Sequence, residues 1–578
     1  MDKRRVNNRA FVISDSIISP LGRDTETNMR ELMLFHSGVK RVDEKSLYSS
    51  PFMGAKIEKD SFLNSEIDIP DDATLLEKRA LVAALVAIKA ANSENYDKIL
   101  SETSLILATT KGNIDLIENS GEDIKYSAFP GVMASRIAKW LGIKGAPLTI
   151  SSACISGVNA IIEGARLIER GDCKNVLIIG ADLLSRFVIT GFESFKSVSS
   201  SICLPYDLSR DGLNLGEAVA AVLLSSDRDL CKDTNPVVIE GGAITNDANH
   251  LSAPSRTGDG LGISMLQAME DAGVESKQIS FINAHGTSTI YNDEMESKAI
   301  HFASLQELPV QSLKPFFGHT LGASGVVEII ASAWQMKNSL LFGTRGFKEL
   351  GVPMEIKVTP HHSEQNLYRC IKSASGFGGC NASIVLALES ASVSKFKQEY
   401  GQWEELASYE LSGEDDFDTV IREKYKELNI KDIKFFKMDG LSRLGVIGTF
   451  ELMRRAGDLS DIDPFKKGML LANRSSSLDT DIKHQMLIDA GGDSAASPAV
   501  FVYTLPNIVM GEIAIRNQFK GENIFFLYED DRGSVIHSDM LKYADSSMLE
   551  MVICGWCDYL KGKYSLNLKL YKRDVYGK

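Results

Sequence analysis

The strongest constraint on the fold is that one stretch of this 578-residue chain returns, altered, near its C-terminus. YSAFPGVMASRIAKWLGIKG (126–145) aligns without gaps to VYTLPNIVMGEIAIRNQFKG (502–521), sharing Pro130/Pro506, Ile137/Ile513, Ala138/Ala514, Lys144/Lys520 and Gly145/Gly521. The same offset of 376 residues (521 minus 145) carries the match on to Gly157/Gly533, Val176/Val552, Asp182/Asp558 and Leu184/Leu560. Upstream, KFFKMDGLSRLGVIGTFELMRRAG (434–457) resembles TLLEKRALVAALVAIKAAN (74–92), and GMLLANRSSSLDTD (468–481) resembles SLILATTKGNIDLI (104–117). Residues 430–578 are therefore expected to fold as a second copy of a unit built once already in the N-terminal region. Short β-branched runs such as SLILATT, PLTISS, NVLIIGA and AAVLLSS alternate with amphipathic helical patterns, so the unit is α/β.

Chemistry concentrates in four ordered segments that the second copy lacks: GAPLTISSACISG (145–157), FINAHGTST (281–289), SLKPFFGHTLGASG (312–325) and SASGFGGCNAS (373–383). PLTIS reads as a strand running into small residues and Cys154, after which ISGVNAIIEGARLIERG has helical spacing. A thiol at a helix N-terminus feels the partial positive charge of unpaired N–H groups, which favours thiolate. His285 and His319 stand in glycine-rich segments where an imidazole can reach a carbonyl or an oxyanion without a neighbouring side chain intruding. Two neutral imidazole donors suit carbanion formation from a malonyl thioester, because they stabilise the enolate without supplying a proton that quenches it.

These segments resemble, in residues and order, the active-site motifs of β-ketoacyl synthases of the Cys-His-His elongating type. PYDLSRDGLNLGEAVAAVLL (205–224) and RAFVISDSIISPLG (9–22) extend the similarity over about residues 9–390. The resemblance implies decarboxylative Claisen condensation of an acyl thioester with malonyl-ACP, giving 3-oxoacyl-ACP for fatty-acid or polyketide synthesis. Cys154 would hold the acyl chain, while His285 and His319 assist decarboxylation. The backbone N–H groups of Cys154 and Phe377 match the oxyanion hole, Phe377 with Gly378 the gate, and Lys314 with Glu328 a charged pair that orients the histidines. Thr287 and Thr289 fall where relatives bind phosphopantetheine; Asp293 and Glu296 match supporting acids. No bound cofactor or metal is implied, since the substrate rides on the phosphopantetheine of an acyl carrier protein. The implied architecture is the thiolase fold, an αβαβα sandwich of two pseudo-symmetric halves (1–245 and 246–390), whose PLTISS edge strand pairs across a homodimer or a synthase heterocomplex. A polar connector (391–429) and a third, degenerate, non-catalytic half (430–578) follow.

Two other readings remain. A thiolase of the same fold would use a second cysteine, and Cys380 stands where relatives have Thr or Ser; a small buried hydrophobe is the plainer reading. Relatives without a nucleophile serve as chain-length or scaffolding partners, a role that suits the C-terminal copy. There Asp530 replaces Cys154 at constant offset, and a cap on the helix near Gly533 is its expected role.

The net charge of −14, with no compensating basic run, argues against nucleic acid as a partner. Lys78, Arg79, Lys144 and Arg210 are candidates for a local basic patch facing an acidic carrier. No run approaches a membrane span of about 18 apolar residues, and Asp15 with the alternation of AFVIS makes the N-terminus a strand rather than a signal peptide. Eight cysteines show no disulfide-like spacing, Cys554 and Cys557 read as packed strand residues, and a reducing, cytoplasmic compartment is expected.

Overall fold

The computed structural model describes residues 8–58, 69–91, 96–118, 124–393 and 401–573. Residues 1–7, at the N-terminus read above as no signal peptide, and residues 394–400 of the expected connector lie outside it. Three sets of strands succeed one another. The first is ordered Ala10–Ile18, Ala218–Ser225, Asn175–Asp182, Thr103–Ala108, Leu148–Ile150. The second is Val237–Asn246, Cys380–Leu388, Arg369–Gly376, Phe281–Asn283, Pro309–Gln311, with the short strand Lys357–Val358 at its edge. The third is Asn523–Leu527, Lys467–Asn473, Met551–Leu560, Lys563–Arg573, Trp403–Gly413.

The first two sets meet where Ala10–Val12 pairs antiparallel with Val237–Ile239. Between them the helices Ser156–Arg170 and Ser324–Asn338 pack on each other and on strands of both sets, while Leu75–Ala91 and Asp259–Ala272 cover the outer faces. That layering is the thiolase-like αβαβα sandwich. Gly157 permits the close inner contact: a methyl there would lie 2.7 Å from the Gly322 carbonyl oxygen.

The third set repeats the first. Thr103–Ala108 pairs parallel with both Leu148–Ile150 and Asn175–Asp182, and Lys467–Asn473 pairs parallel with both Asn523–Leu527 and Met551–Leu560. Even the polar fastening recurs. Asp182 accepts from Lys111 N at 3.2 Å, and Asp558, its counterpart, accepts from Ser475 N at 3.0 Å, so each aspartate holds the loop leaving the neighbouring strand.

Two expected boundaries shift. Val237–Asn246 pairs along its length with Cys380–Leu388, so the divide between the halves falls before Val237 rather than at residue 245. Residues 391–429 are more than a connector: Trp403–Gly413 pairs with Lys563–Arg573 as Ala10–Ile18 pairs with Ala218–Ser225, and the C-terminal unit begins at that strand.

The two copies join edge to edge. Leu148–Ile150 and Asn523–Leu527 run antiparallel, Ile150 opposite Phe526 and Thr149 opposite Leu527, with Ser151 N donating to Phe525 O at 3.0 Å. At the 376-residue offset Ile150 and Phe526 are equivalent positions, so a pseudo-two-fold axis passes between them. The edge expected to pair with another chain is occupied by this chain's own C-terminal unit, and Ile524, Phe525, Phe526 and Leu527 are fully buried there.

Candidate active site

The strand Leu148–Ile150 ends in a sharp turn in which Ala153 takes φ +48°, a left-handed conformation costly for a residue with a Cβ, and Cys154 follows in a short 3-10 turn ahead of the helix from Ser156. The turn aims the thiol into a cavity of about 350 Å³ also lined by His285, His319, Phe192, Phe195, Phe377, Thr287 and Thr289. His319 Nε2 lies 3.0 Å from Cys154 Sγ, and its Nδ1 is 3.0 Å from Ser324 Oγ, which fixes the ring. The His285 ring stands edge-on to that of His319, centroids 5.3 Å apart, and its buried Nδ1 has no hydrogen-bond partner among the described residues.

Beneath the imidazoles lies a charged triad. Lys314 Nζ is 2.5 Å from Glu328 Oε1 and Lys372 Nζ is 2.9 Å from Glu328 Oε2, all three side chains buried. Sequence reasoning paired Lys314 with Glu328 and missed Lys372; a lysine inside the strand RCIKSASG was the signal. Burial first, and these lysines next, push both histidines well below the usual imidazole range, so both are neutral at physiological pH. The thiol corrects the expectation of a resting thiolate. Burial pushes Cys154 up to about 12, because Lys314 and a backbone hydrogen bond offset only part of the cost of desolvating sulfur.

The supporting acids hold backbone. Glu296 accepts from His285 N (2.7 Å), Gly286 N (2.8 Å) and Tyr206 Oη (2.6 Å); Asp293 accepts from Tyr206 N (2.7 Å) and is raised to about 7, chiefly by burial. Thr287 and Thr289 hydroxyls lie 2.9 Å apart at the cavity wall. Gly378 is no oxyanion donor in this state, since its N–H donates to Leu251 O at 2.6 Å; it remains part of the Phe377 loop, with φ +90°. Cys380 packs behind the loop, its Sγ 3.3 Å from Phe377 O and 3.6 Å from Ser152 O. Arg79 and Arg210 are not surface cations: Arg79 pairs with Glu217 at 3.3 Å, and Arg210 donates to Asp207 O and Gly351 O. Lys144 is exposed.

The family model for the "Beta-ketoacyl synthase, N-terminal domain" matches residues 7–229, and that for the "Beta-ketoacyl synthase, C-terminal domain" matches 237–348. The chain belongs to the β-ketoacyl synthase family. It is a condensing acyltransferase by that membership. Curated relatives include 3-oxoacyl-[acyl-carrier-protein] synthase 2 of Staphylococcus aureus, 27% identical over 407 residues, covering 66% of this chain and 98% of that protein. The enzyme of the same name from Vibrio harveyi is 28% identical over 417 residues, covering 67% and 99%. Among solved structures, the ketosynthase ApeO in complex with its chain length factor ApeC, from Xenorhabdus doucetiae, matches with TM-score 0.57 and 26% identity over 67% of this chain and 100% of that one. The PfaC keto synthase–chain length factor matches in fold with TM-score 0.78 and 15% identity, covering 99% of this chain and 79% of that one.

The C-terminal unit closes on this site from behind. Phe501 packs against Phe192 (centroids 5.6 Å apart) and Phe195 (6.2 Å), and its ring sits against the backbone of Gly191. Lys111 Nζ, from the body, meets Asp481 at 2.7 Å and the Thr504 carbonyl, both from the C-terminal unit. Asp530 is exposed and caps nothing: the helix Val535–Ala544 starts after Ser534 without a side-chain cap, and Asp531 accepts from Gly533 N at 2.8 Å in the preceding turn.

Proposed function

We propose that the body (to about residue 393) condenses an acyl group held on Cys154 with a malonyl unit, both delivered on the phosphopantetheine arm of an acyl carrier protein, and that the C-terminal unit is a built-in, non-catalytic counterpart of half a chain-length partner. The observation that carries this reading is the 3.0 Å contact of Cys154 Sγ with His319 Nε2 beside a second neutral imidazole facing the same cavity. Cys154 sulfur attacks the donor thioester carbonyl; its proton passes by way of His319 to the departing carrier thiol, and the acyl–sulfur bond replaces the acyl–carrier bond. The Cys154 and Phe377 N–H groups stabilise the oxyanion. The malonyl unit then loses its carboxylate as CO2, its enolate oxygen stabilised by the imidazoles, and the carbanion attacks the acyl carbonyl while Cys154 leaves. The released Cys154 thiolate takes a proton from water, as a group with pKa about 12 does readily. Thr287 and Thr289, at the wall, receive the arm. A cytoplasmic location fits the free thiol at the centre of the reaction.

The test separates the two steps. Cys154→Ala abolishes condensation; His285→Ala still gains acyl mass on the Cys154 peptide but loses product formation by about 100-fold or more, and His319→Ala loses product formation equally while also loading acyl more slowly, because the proton relay from the thiol is gone. Normal condensation in either histidine variant, or no acyl mass on wild-type Cys154 with competent donors, rejects the assignment.

A further inference from the structure

The C-terminal unit touches the loop that would gate the pocket, and a side-chain hydrogen bond from Asn507 fastens the contact. Asn507 Nδ2 donates to the carbonyl oxygen of Phe377 at 2.8 Å. A methyl on Gly378 would lie 2.7 Å from the same nitrogen, so the loop is pressed against Asn507 with no room for a side chain. Next to it, a methyl on Gly511 would lie 3.0 Å from the Gly378 Cα. The second loop at the mouth is braced by the same unit: Asn246 N donates to Lys520 O at 2.9 Å, and Gln518 Nε2 to Ala248 O at 3.3 Å. The two loops are tied to each other, Gly378 N to Leu251 O (2.6 Å) and Asn246 Nδ2 to Gly378 O (2.9 Å).

In the internal repeat Asn507 occupies the place of Gly131, and Gly131 has no side chain with which to reach across. The repeat is therefore broken where an amide is useful. We infer that Asn507 is a positioning residue for the reaction: its amide holds the Phe377 carbonyl in the closed loop, so that the C-terminal unit sets how often the pocket opens to an incoming acyl group. The loop is built to move once released, because Gly378 and Gly379, at φ +90° and +71°, cross dihedral space cheaply. The inference rests on the condensing reading only in taking Phe377 as the gate.

The test therefore measures access rather than condensation. Full-length protein is alkylated with iodoacetamide and with a long-chain N-alkyl iodoacetamide, and the rate is read by mass on the Cys154 peptide. Losing one amide-to-carbonyl bond from the closed state raises the open fraction about fivefold. Asn507→Ala and the isosteric Asn507→Asp, which turns the donor into an acceptor, both accelerate the long-chain probe by about that factor. The small probe gains less, a dependence on size that simple loss of stability does not produce. Tyr126→Phe, which removes the bond to Glu529 elsewhere on the same boundary, leaves both rates unchanged. Wild-type rates in both Asn507 variants overturn the inference, and so does equal acceleration in Tyr126→Phe. Failure of wild type to take an acyl group, with the alkylation pattern intact, removes the condensing reading and leaves the role of Asn507 standing.

Discussion

At the scale of single residues the site works by keeping its acid–base groups neutral. Protonated imidazoles would donate protons to the enolate; burial first, and then the two lysines around one buried carboxylate, hold the rings neutral. The condensation rate should fall as pH drops through the depressed histidine pKa values, since only the neutral form is competent. Lys372→Met keeps volume and leaves Glu328 paired with Lys314, but removes one cation facing the rings. Their pKa values rise, and the acid limb of the condensation pH profile moves to higher pH. A pH–rate profile that superimposes on wild type would show that Lys372 only packs. Cys154, His285, His319 and Lys314 could be grouped from the sequence because they sit in contiguous motifs, and Glu328 because it follows SLKPFFGHTLGASG by three residues. Lys372 and Ser324 were not singled out, although both stand in or beside the quoted segments, because their roles come from contacts across the fold. The elevated thiol pKa was hidden for a related reason, since desolvation depends on everything packed around the sulfur.

At the scale of elements, strand-to-turn-to-helix segments do the positioning, and the repeat shows which parts of them are fold and which are function. Both copies keep the parallel three-strand core and the aspartate that fastens the loop beside it. Only the first keeps a cysteine at the turn. The alternation of short apolar strands and helices made this α/β core readable, and the offset alignment placed Asn523–Leu527 as the counterpart of Leu148–Ile150. Trp403–Gly413 was missed because its sequence, WEELASYELSG, carries three glutamates, the charges of an edge strand exposed on one side. The segment containing Phe501 offered no signal either, since its partners Phe192 and Phe195 are more than 300 positions away in the chain. Phe501 stands directly behind two of the aromatic walls of the cavity. Phe501→Leu gives those walls room to retreat at a stability cost of about 1 kcal/mol. The product distribution should shift toward longer acyl chains when products formed from malonyl and a series of acyl donors are sized by mass spectrometry. An unchanged distribution would place the end of the acyl site elsewhere.

At the scale of the whole molecule, the pairing of Ile150 with Phe526 makes one chain do what two subunits do in a symmetric assembly. A free Leu148–Ile150 edge is a row of unpaired N–H and C=O groups backed by apolar side chains, a template for pairing with any other strand. Here that edge is filled by a covalently attached copy, whose effective concentration does not depend on how much protein is present. The union is reinforced by buried polar contacts that only the correct partner satisfies. Lys111 with Asp481 is one, and Arg166 shared between Glu163 (2.6 Å) and Glu522 (2.8 Å) is another; removing one member of such a pair costs about 3–5 kcal/mol by leaving a charge buried alone. The full chain should therefore remain one chain per particle, with this edge closed, across a range of concentrations in sedimentation velocity. Truncation after residue 392 removes the filling strand, uncovers the edge, takes Asp481 from Lys111 and leaves Arg166 with Glu163 alone. The truncated body should aggregate, or dimerise through Leu148–Ile150 in a concentration-dependent way, and Asn507 can no longer hold the Phe377 carbonyl in whatever survives. A truncated body that stays monomeric, equally soluble and equally slow to alkylate at Cys154 would mean that the C-terminal unit neither seals the edge nor holds the gate.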